Sequence, residues 1–306
     1  MKPEEINNQR ILFSALNWGM GHVSRSISII HQLKNQGNNL FIACSGSQRK
    51  VFEAYFTDIE FIEHDDYPFE FKGNGNFAID LLLAFPKLNR RLKKEKKEIK
   101  HLIKKHDIDI CISDHRYGFY KKKCTSIFIT HQLNLPLPFL FKGVNSLHRQ
   151  LLKKFNYIWV LDNEHSKHAG KLSTNKNFKN LYYIGIHSRF SLYPSTIKEN
   201  YTAVIISGPS PYREQFFLEQ LSAAKQRIDK TIIITPQQNL KASHISNNIT
   251  VQLSIDWRAC DQIILKANKV ISRAGYSTVM DLNYLQCEKE LHPTKGQWEQ
   301  EYLAKL

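Results

Sequence analysis

The chain has 306 residues, 42% of them hydrophobic and 11% aromatic, and a formal net charge of +15. This length suits two domains of ordinary size, and the composition excludes an intrinsically disordered chain. The five cysteines lack CxxC spacing, the N-terminus is polar, and no apolar run approaches the ~18 residues of a membrane span. We therefore expect a cytoplasmic protein with reduced thiols, whose positive charge suggests an anionic partner.

The first predicted elements form a βαβ unit with a glycine-rich turn. Residues 10–16 predict a buried strand and residues 24–33 a helix, with a second strand after it. The turn contains Gly19 and Gly21, but Ser24 stands where a dinucleotide-binding fingerprint has its third glycine. No acidic residue ends the second strand either, so NAD is disfavoured as a ligand.

His22 lies in this turn, at the start of the predicted helix. The positive end of a helix dipole favours the neutral imidazole, and a neutral imidazole can accept a proton from a hydroxyl as a general base. A histidine at this position can equally well hydrogen-bond the loop and hold its shape. The sequence leaves the two interpretations open.

A strongly basic segment follows between Lys87 and Lys105, where ten lysines and arginines accompany only Glu95 and Glu98. Leucines and isoleucines recur there at helical spacing, which predicts an amphipathic helix. Its basic face is either solvated or bound to an anionic membrane surface; no nucleic acid is expected, because no reader motif accompanies the charge.

The apolar loop at 135–141 also has two interpretations. It is either packed on its own domain or forms a lipid-facing patch.

Two further strands are predicted at 108–113 and 126–130, each followed by polar side chains. Ligands of open α/β sheets gather beyond the carboxyl ends of the strands. Asp114 would orient a catalytic histidine or act as a base, Arg116 would contact phosphate or pair with Asp114, and His131 would contact acceptor or phosphate. For each of them, a hydrogen bond to a neighbouring loop is the competing interpretation.

Residues 188–200, rich in Ser, Pro and Tyr, are interpreted as a linker between an N-terminal domain at 1–190 and a C-terminal domain at 201–306. The second domain opens with a predicted strand that leads into Gly-Pro-Ser-Pro. Ser210 is a candidate cap for a helix that starts at Pro211, and a helix N-terminus at the end of a strand favours anions.

Near the C-terminus, residues 257–266 predict a helix and 269–272 a short buried strand, followed by a tight turn at Gly275 and a helix from about Ser277. Glycine lets backbone N–H groups approach a ligand, and the helix N-terminus suits a diphosphate. Asp281, one turn deeper on the same face, would accept hydrogen bonds from ribose hydroxyls.

Gln297 and Gln300 are spaced three apart and would share one face of a final helix. Amides both donate to and accept from sugar hydroxyls, so this pair is a candidate for sugar recognition. The segment at 289–292 stands where a buried strand is expected by analogy, although three of its four residues are polar.

Several strings of the chain carry a resemblance to a known group of enzymes. They are Asn-Trp-Gly-Met-Gly-His-Val-Ser-Arg at 17–25, Asp-His-Arg-Tyr-Gly at 114–118, Thr-His-Gln-Leu at 130–133, Ser-Arg-Ala-Gly at 272–275 and Pro-Thr-Lys-Gly-Gln-Trp-Glu-Gln-Glu-Tyr-Leu-Ala at 293–304. Together they resemble GT-B glycosyltransferases with a family 28 type C-terminal domain, a group to which the peptidoglycan N-acetylglucosaminyltransferase is distantly related. The resemblance implies an α/β protein of the GT-B fold, with two Rossmann-like domains facing a cleft and an abbreviated C-terminal domain.

The resemblance also implies roles for particular residues. The N-terminal domain would supply the catalytic residues His22 and Asp114 and the acceptor-side residues Gly19, Gly21, Arg116 and His131. The C-terminal domain would bind the donor through Ser207, Gly208, Ser210, Arg273, Ala274, Gly275, Ser277, Thr278, Asp281, Gln297 and Gln300. Arg273 and the helix dipoles would stabilise the leaving diphosphate. No metal or other cofactor is expected, since no DxD-like motif lies in a suitable place.

The function expected from the sequence is transfer of a hexosyl or N-acetylhexosaminyl group from a nucleotide sugar, first of all a UDP-sugar, to a hydroxyl acceptor in envelope, glycolipid or polysaccharide synthesis. One alternative is a nucleotide-sugar epimerase of the same fold. Another is a truncated, non-catalytic binder of nucleotide sugars, because the chain stops at Leu306, directly after the last motif. Attachment to the inner face of a membrane is a further expectation, and the oligomeric state is left open.

Overall fold

The computed structural model of the chain describes residues 1–69, 77–136, 142–165, 168–174, 178–236 and 243–306. Two compact units are present, the first ending at Arg189 and the second running from Phe190 to Lys305. This boundary falls inside the stretch interpreted as a linker. Most of the apolar loop at 135–141 lies outside the described residues.

The first unit is built on a seven-stranded sheet with the order β3-β2-β1-β4-β5-β6-β7, in which every neighbouring pair is parallel. The strands are β1 Arg10–Ala15, β2 Asn39–Cys44, β3 Glu60–Glu63, β4 Ile110–Asp114, β5 Thr125–Thr130, β6 Tyr157–Val160 and β7 Leu181–Tyr183. The helices are α1 Gly21–Asn35, α2 Gly46–Glu53, α3 Phe77–Lys105 and α4 Lys142–Leu152. Strands buried on both faces read as continuous apolar runs, which explains why β1, β4 and β5 were recognisable in the sequence.

The second unit is built on a six-stranded sheet with the order β10-β11-β9-β8-β12-β13, parallel except for the antiparallel pair β10 and β11. Its strands are β8 Glu199–Ile205, β9 Thr231–Thr235, β10 Ser243–Ser246, β11 Ile249–Leu253, β12 Ala267–Arg273 and β13 Glu288–His292. Its helices are α5 Tyr212–Gln226, α6 Trp257–Lys266, α7 Tyr276–Leu285 and α8 Trp298–Leu303.

Several elements differ from the expectations. Helix α5 begins at Tyr212 with Pro211 as its N-cap, and no side chain caps it, so the prediction that Ser210 caps this helix is wrong. Strands β3 and β10 were not predicted, because both are short edge strands with mostly polar or partly exposed residues. β13 is also an edge strand, which explains its charged sequence: one side of an edge strand meets solvent.

The basic segment belongs to α3, a single helix of 29 residues. Ile99 and Glu95 on its inner side are fully buried, whereas most of its lysines are exposed. In the described part of the chain, no helix combines the length and the apolar character needed to cross a bilayer.

Each sheet reverses its winding direction at one place. In the first unit this is between β1 and β4, and in the second between β8 and β12. The loops at the carboxyl ends of two such strands diverge to opposite sides of the sheet and leave a crevice, which is where doubly wound folds bind their ligands. The candidate residues of the sequence lie at these two places.

Candidate functional site

In the first unit, the candidate site lies at the carboxyl ends of β1 and β4. Ala15 and Asp114 are register partners in these two strands, and the Leu16 N–H donates to the Asp114 carbonyl at 2.9 Å. The loop that leaves β1 enters α1 within a few residues, so the first turn of α1 stands over the end of β4. Gly19 has a φ of +88°, a backbone conformation that favours glycine in this turn. Gly21 is the first residue of α1.

His22 and Asp114 meet at this place. The Nδ1 atom of His22 lies 3.1 Å from Oδ1 of Asp114, although 92 positions separate the two residues in the chain. Asp114 is completely buried, whereas the His22 side chain is 16% exposed. If Nδ1 carries the proton and donates it to Asp114, Nε2 remains free of a proton and can act as a base.

The sequence reasoning missed Arg25, which lies at the centre of the cluster. Its Nε donates to Oδ2 of Asp114 at 2.7 Å, and its Nη2 donates to Oδ1 of the same carboxylate. Nη2 also lies 2.7 Å from Nδ1 of His22, and Nη1 lies 3.0 Å from Nδ1 of His131. The available signal was its spacing of three from His22, which places both side chains on one face of α1.

Burial and charge act in opposite directions on this cluster. Burial alone would raise the pKa of Asp114, but the charge of Arg25, the neighbouring His22 and the hydrogen bonds from both outweigh it and hold that pKa well below its usual range. Burial lowers the pKa of His22, and the charge of Arg25 lowers it further, while Asp114 acts in the opposite direction. Burial and the charge of Arg25 therefore both favour the neutral imidazole of His22.

His131 lies beside this cluster, and His115 extends it. Since a guanidinium only donates, Nδ1 of His131 accepts from Arg25, which leaves the proton of a neutral ring on Nε2. His115 Nε2 lies 2.8 Å from the hydroxyl of Thr130, and that hydroxyl donates to the Gln132 carbonyl at 3.0 Å. Nε2 of His115 is consequently the donor, and burial lowers the pKa of His115 well below its ordinary value.

Arg116 has a different position from the one expected. Its side chain is completely buried, its Nε donates to Oε1 of the equally buried Glu95 on α3 at 2.7 Å, and its Nη2 donates to the Asp65 carbonyl at 2.6 Å. The Tyr67 hydroxyl also donates to Glu95, at 2.5 Å. Arg116 thus anchors α3 to the sheet, and the arginine that pairs with Asp114 is Arg25.

In the second unit, the candidate site lies at the ends of three adjacent strands. β12 is flanked by β8 and β13, so the loops after these strands lie side by side. Ser207 is partly buried, and Gly208 and Ser210 are exposed. Gly208 has a φ of +102°, and a Cβ built on it would lie 3.8 Å from Oγ1 of Thr294 in the loop after β13.

Arg273, the last residue of β12, holds two of these loops. Its Nη2 donates to the Tyr212 carbonyl at 2.9 Å and its Nη1 to the Pro293 carbonyl at 3.1 Å. The guanidinium lies 4.2 Å from the centre of the Phe216 ring, and the residue is only 8% exposed. Through these contacts, one guanidinium joins the start of α5 to the loop after β13; the expected contact with a leaving diphosphate stays a prediction.

The turn after β12 leaves space above the N-terminus of α7. Gly275 is the N-cap with a φ of −73°, which any residue adopts, and nothing lies within 4 Å of a Cβ built on it. Ala274 is fully buried, Ser277 and Thr278 are partly buried on the first turn of the helix, and Asp281 is 6% exposed. The glycine therefore provides open space here, and the backbone conformation does not require it.

The two glutamines are joined to each other and to the loop after β13. Gln300 Nε2 donates to Oε1 of Gln297 at 2.5 Å, and Gln300 Oε1 accepts from the Thr294 N–H at 2.9 Å. Gln297 is the N-cap of α8 and not a residue within it. The two glutamines are in contact as expected. However, they meet because Gln297 caps the helix, and they do not share one face of it. Thr294, from the same string, is fully buried next to them.

No protein-family model matches the sequence, and no curated protein matches it. Solved structures match it over nearly its whole length. The glycotransferase of kitacinnamycin is 12% identical with a TM-score of 0.65, and the match covers 97% of this chain and 84% of that one. UGT89C1 of Arabidopsis thaliana is 11% identical with a TM-score of 0.66, covering 97% of this chain and 82% of that one.

The spinosyn rhamnosyltransferase SpnG, in a complex with thymidine diphosphate, is 11% identical with a TM-score of 0.61, and the match covers 96% of this chain and 83% of that one. These neighbours are GT-B glycosyltransferases, and the chain has the GT-B fold. The expected fold is confirmed. Sequence identities near 12% show that the fold is shared, but they do not show that individual residues have the same chemical role.

Proposed function

We propose that this protein is a glycosyltransferase that moves a hexosyl group from a nucleotide sugar to a hydroxyl acceptor. The pairing of His22 with the buried Asp114 carries the proposal, because a neutral imidazole held by a carboxylate can take a hydroxyl proton. The GT-B fold supports it, as does the binding of thymidine diphosphate by SpnG and of UDP by LpCGTa, another structural neighbour. A UDP-sugar is the donor that we propose first.

In the proposed reaction, Nε2 of His22 accepts the proton of the acceptor hydroxyl while the hydroxyl oxygen attacks the anomeric carbon. The bond from this carbon to the diphosphate oxygen breaks, and the nucleoside diphosphate leaves with the bonding electrons. Asp114 stabilises the imidazolium that forms. A positioned base of this kind contributes about 10²–10⁴-fold to the rate.

We assign donor binding to the second unit. The N-terminus of α7, with the open space at Gly275 and the hydroxyl of Ser277, would take the diphosphate. Asp281 would bind the ribose, and Gln297 and Gln300 would bind the transferred sugar. The loop from Ser207 to Ser210 would close the phosphate site, with Arg273 holding it in place. The resemblance of the sequence to a family 28 type C-terminal domain supports this assignment.

Thermal unfolding in the presence of UDP-, GDP- and dTDP-sugars tests donor binding. A ligand at ~100 times its dissociation constant stabilises a protein by about 2.7 kcal/mol. Asp281→Ala should abolish this stabilisation, whereas Asn283→Ala, two residues further along α7, should retain it. If both variants respond like the wild type, the ribose assignment is wrong.

Release of nucleoside diphosphate, with and without hydroxyl acceptors, tests the reaction. A transferase requires the acceptor for rapid release. An epimerase of the same fold would isomerise the donor without acceptor, and a non-catalytic binder would show thermal stabilisation without any turnover. Either of these results would contradict the transferase proposal.

The basic face of α3 supports an anionic membrane surface as a partner. Its exposed basic residues recur at helical spacing, and they are Lys87, Arg90, Lys93, Lys94, Lys97, Lys100, Lys104 and Lys105. Towards the N-terminal end of α3, two apolar side chains are also exposed: Leu83 at 63% and Phe85 at 52%. Each basic residue near an anionic surface contributes about 1 kcal/mol.

Co-sedimentation with vesicles tests this partner. Phosphatidylserine vesicles should bind the protein and phosphatidylcholine vesicles should not, and added salt should weaken the binding. The triple variant Arg90→Glu, Lys97→Glu and Lys104→Glu should lose it. Equal binding to both vesicle types, or tighter salt-dependent binding to RNA, would contradict the membrane assignment.

A further inference from the structure

A paired histidine and carboxylate creates a difficulty for a base. A buried carboxylate beside an imidazole stabilises the charged imidazolium, which cannot accept a proton. The Asp114 carboxylate lies 3.1 Å from the His22 ring and is completely excluded from solvent. Without a compensating group, Asp114 would stabilise the protonated form of His22, which must be neutral to act as a base.

Arg25 is placed to compensate. It binds both oxygens of Asp114, and it also approaches Nδ1 of His22 at 2.7 Å. Its side chain is 2% exposed, so solvent does little to screen its charge. An arginine remains protonated at any pH that a protein tolerates, so the compensation is permanent.

We propose that Arg25 is the positioning residue of the His22 site: it binds Asp114 and His131, fixes the His22 ring beside them and keeps that ring uncharged. The proposal rests on the proposed function only where it makes His22 the base. The ion pair and the ring contacts do not depend on that assignment.

The hydrogen-bond inventory supports this role. Nδ1 of His22 has two neighbours, Asp114 at 3.1 Å, which can only accept from it, and Arg25 at 2.7 Å, which can only donate to it. In the tautomer that leaves Nε2 as the base, Nδ1 donates its proton to Asp114, while Nη2 of Arg25 donates to Oδ1 of the same carboxylate. Arg25 then acts on the ring through its charge. Nη1 of Arg25 also lies 3.0 Å from Nδ1 of His131, so one guanidinium contacts both histidine rings.

The charges around His22 come from three elements. Arg25 approaches it from α1, Asp114 from the end of β4 with His115 after it, and His131 from the end of β5. Arg25 lowers the pKa of His22 and Asp114 raises it, with burial as the largest influence. Removing the Arg25 charge should therefore raise this pKa, and removing the Asp114 charge should lower it.

The test is an NMR titration of the His22 ring, assigned by its loss in His22→Gln. In Arg25→Gln the pKa of His22 should rise by about one unit or more, the effect expected of one close buried charge. Arg25→Lys, which keeps the charge, should remain near the wild type. The control is Arg91→Gln, which removes another buried arginine of the same unit, one that pairs with Glu98 on α3. This variant should leave the pKa of His22 unchanged.

An unchanged or lower pKa of His22 in folded Arg25→Gln would overturn the proposal. If that variant does not fold, the double variant Arg25→Gln with Asp114→Asn, which leaves no buried charge unpaired, is compared with Asp114→Asn alone. A higher pKa of His22 in the double variant supports the role of Arg25, and an equal or lower one refutes it. Neither titration requires a donor or an acceptor, so it gives an answer even if no glycosyl transfer is found. Where transfer is measured, the acid limb of kcat/KM should move to higher pH in Arg25→Gln by the same amount as the pKa.

Discussion

The two candidate sites are constructed in opposite ways. In the first unit, buried side chains that lie 89 to 106 positions apart in the chain meet in one charged cluster around Arg25. In the second, the site consists mainly of backbone: a left-handed glycine at Gly208, an open turn at Gly275 and a helix N-terminus. A cluster of side chains loses its function when one partner is removed. A site built from backbone loses its function when the path of the chain is altered.

The largest expected effect comes from His22, the partly exposed member of the cluster. His22→Gln should lower kcat/KM by about 10²–10⁴-fold, because the acceptor hydroxyl loses its base. The stability of the protein should change little, since the side chain reaches solvent. His31→Gln, at an exposed position on the same helix, is the matched control, and a comparable loss there would show that the helix and not the base was affected.

Breaking the buried ion pair should have the next largest effect. Arg25→Met leaves the Asp114 carboxylate buried without a compensating charge. We expect this to lower the free energy of unfolding by about 3–5 kcal/mol. Denaturant unfolding measures this loss. Arg49→Met removes an exposed pair with Glu53 on α2 and should be nearly neutral. Similar losses in both variants would mean that burial is not what distinguishes the cluster.

In the second unit, Arg273 is the residue whose position most resembles that of Arg25 in the first unit, because it is a buried arginine that joins separate segments of the chain. Arg273→Met removes two hydrogen bonds to loop carbonyls and should destabilise the protein by about 1–3 kcal/mol. Donor affinity should fall with it, because the loops that the arginine joins would separate. Arg213→Met, which removes a partly exposed pair with Glu214, should have a smaller effect on both quantities. An unchanged donor affinity in Arg273→Met would contradict the supporting role.

A pair of glycine substitutions should show the smallest effect and separates conformation from space. Gly208→Ala should cost about 1–2 kcal/mol of stability, because a φ of +102° is strained for alanine. Gly275→Ala should leave stability unchanged, since its φ is ordinary and its surroundings are open. Its new methyl group should weaken donor binding instead, which calorimetry with the nucleotide sugar would detect. Equal losses of stability would show that both glycines are conformational.

The elements that could be predicted are those whose signal is local. The helix at 257–266 has the bounds predicted for it, and the buried strands β1, β4 and β5 were recognised from apolar runs. Short polar edge strands such as β3 and β10 escaped, because strand propensity is weak where only one neighbour pairs. Ser210 was misassigned as a cap because caps depend on where the first turn closes, which no single residue determines.

By itself, the sequence determined that the chain folds as two α/β units, and it identified the strings around His22, Asp114 and Gly275 as candidate sites. Only the tertiary structure decided which charges meet: Arg25 pairs with Asp114, and Arg116 pairs with Glu95, whereas the sequence left a contact of Arg116 with phosphate or with Asp114 open. Strand and helix patterns arise from short-range periodicity, which is visible in one sequence. The choice of partner for a buried arginine depends on which carboxylate the folded sheet excludes from water beside it, and this is set by residues far away in the chain.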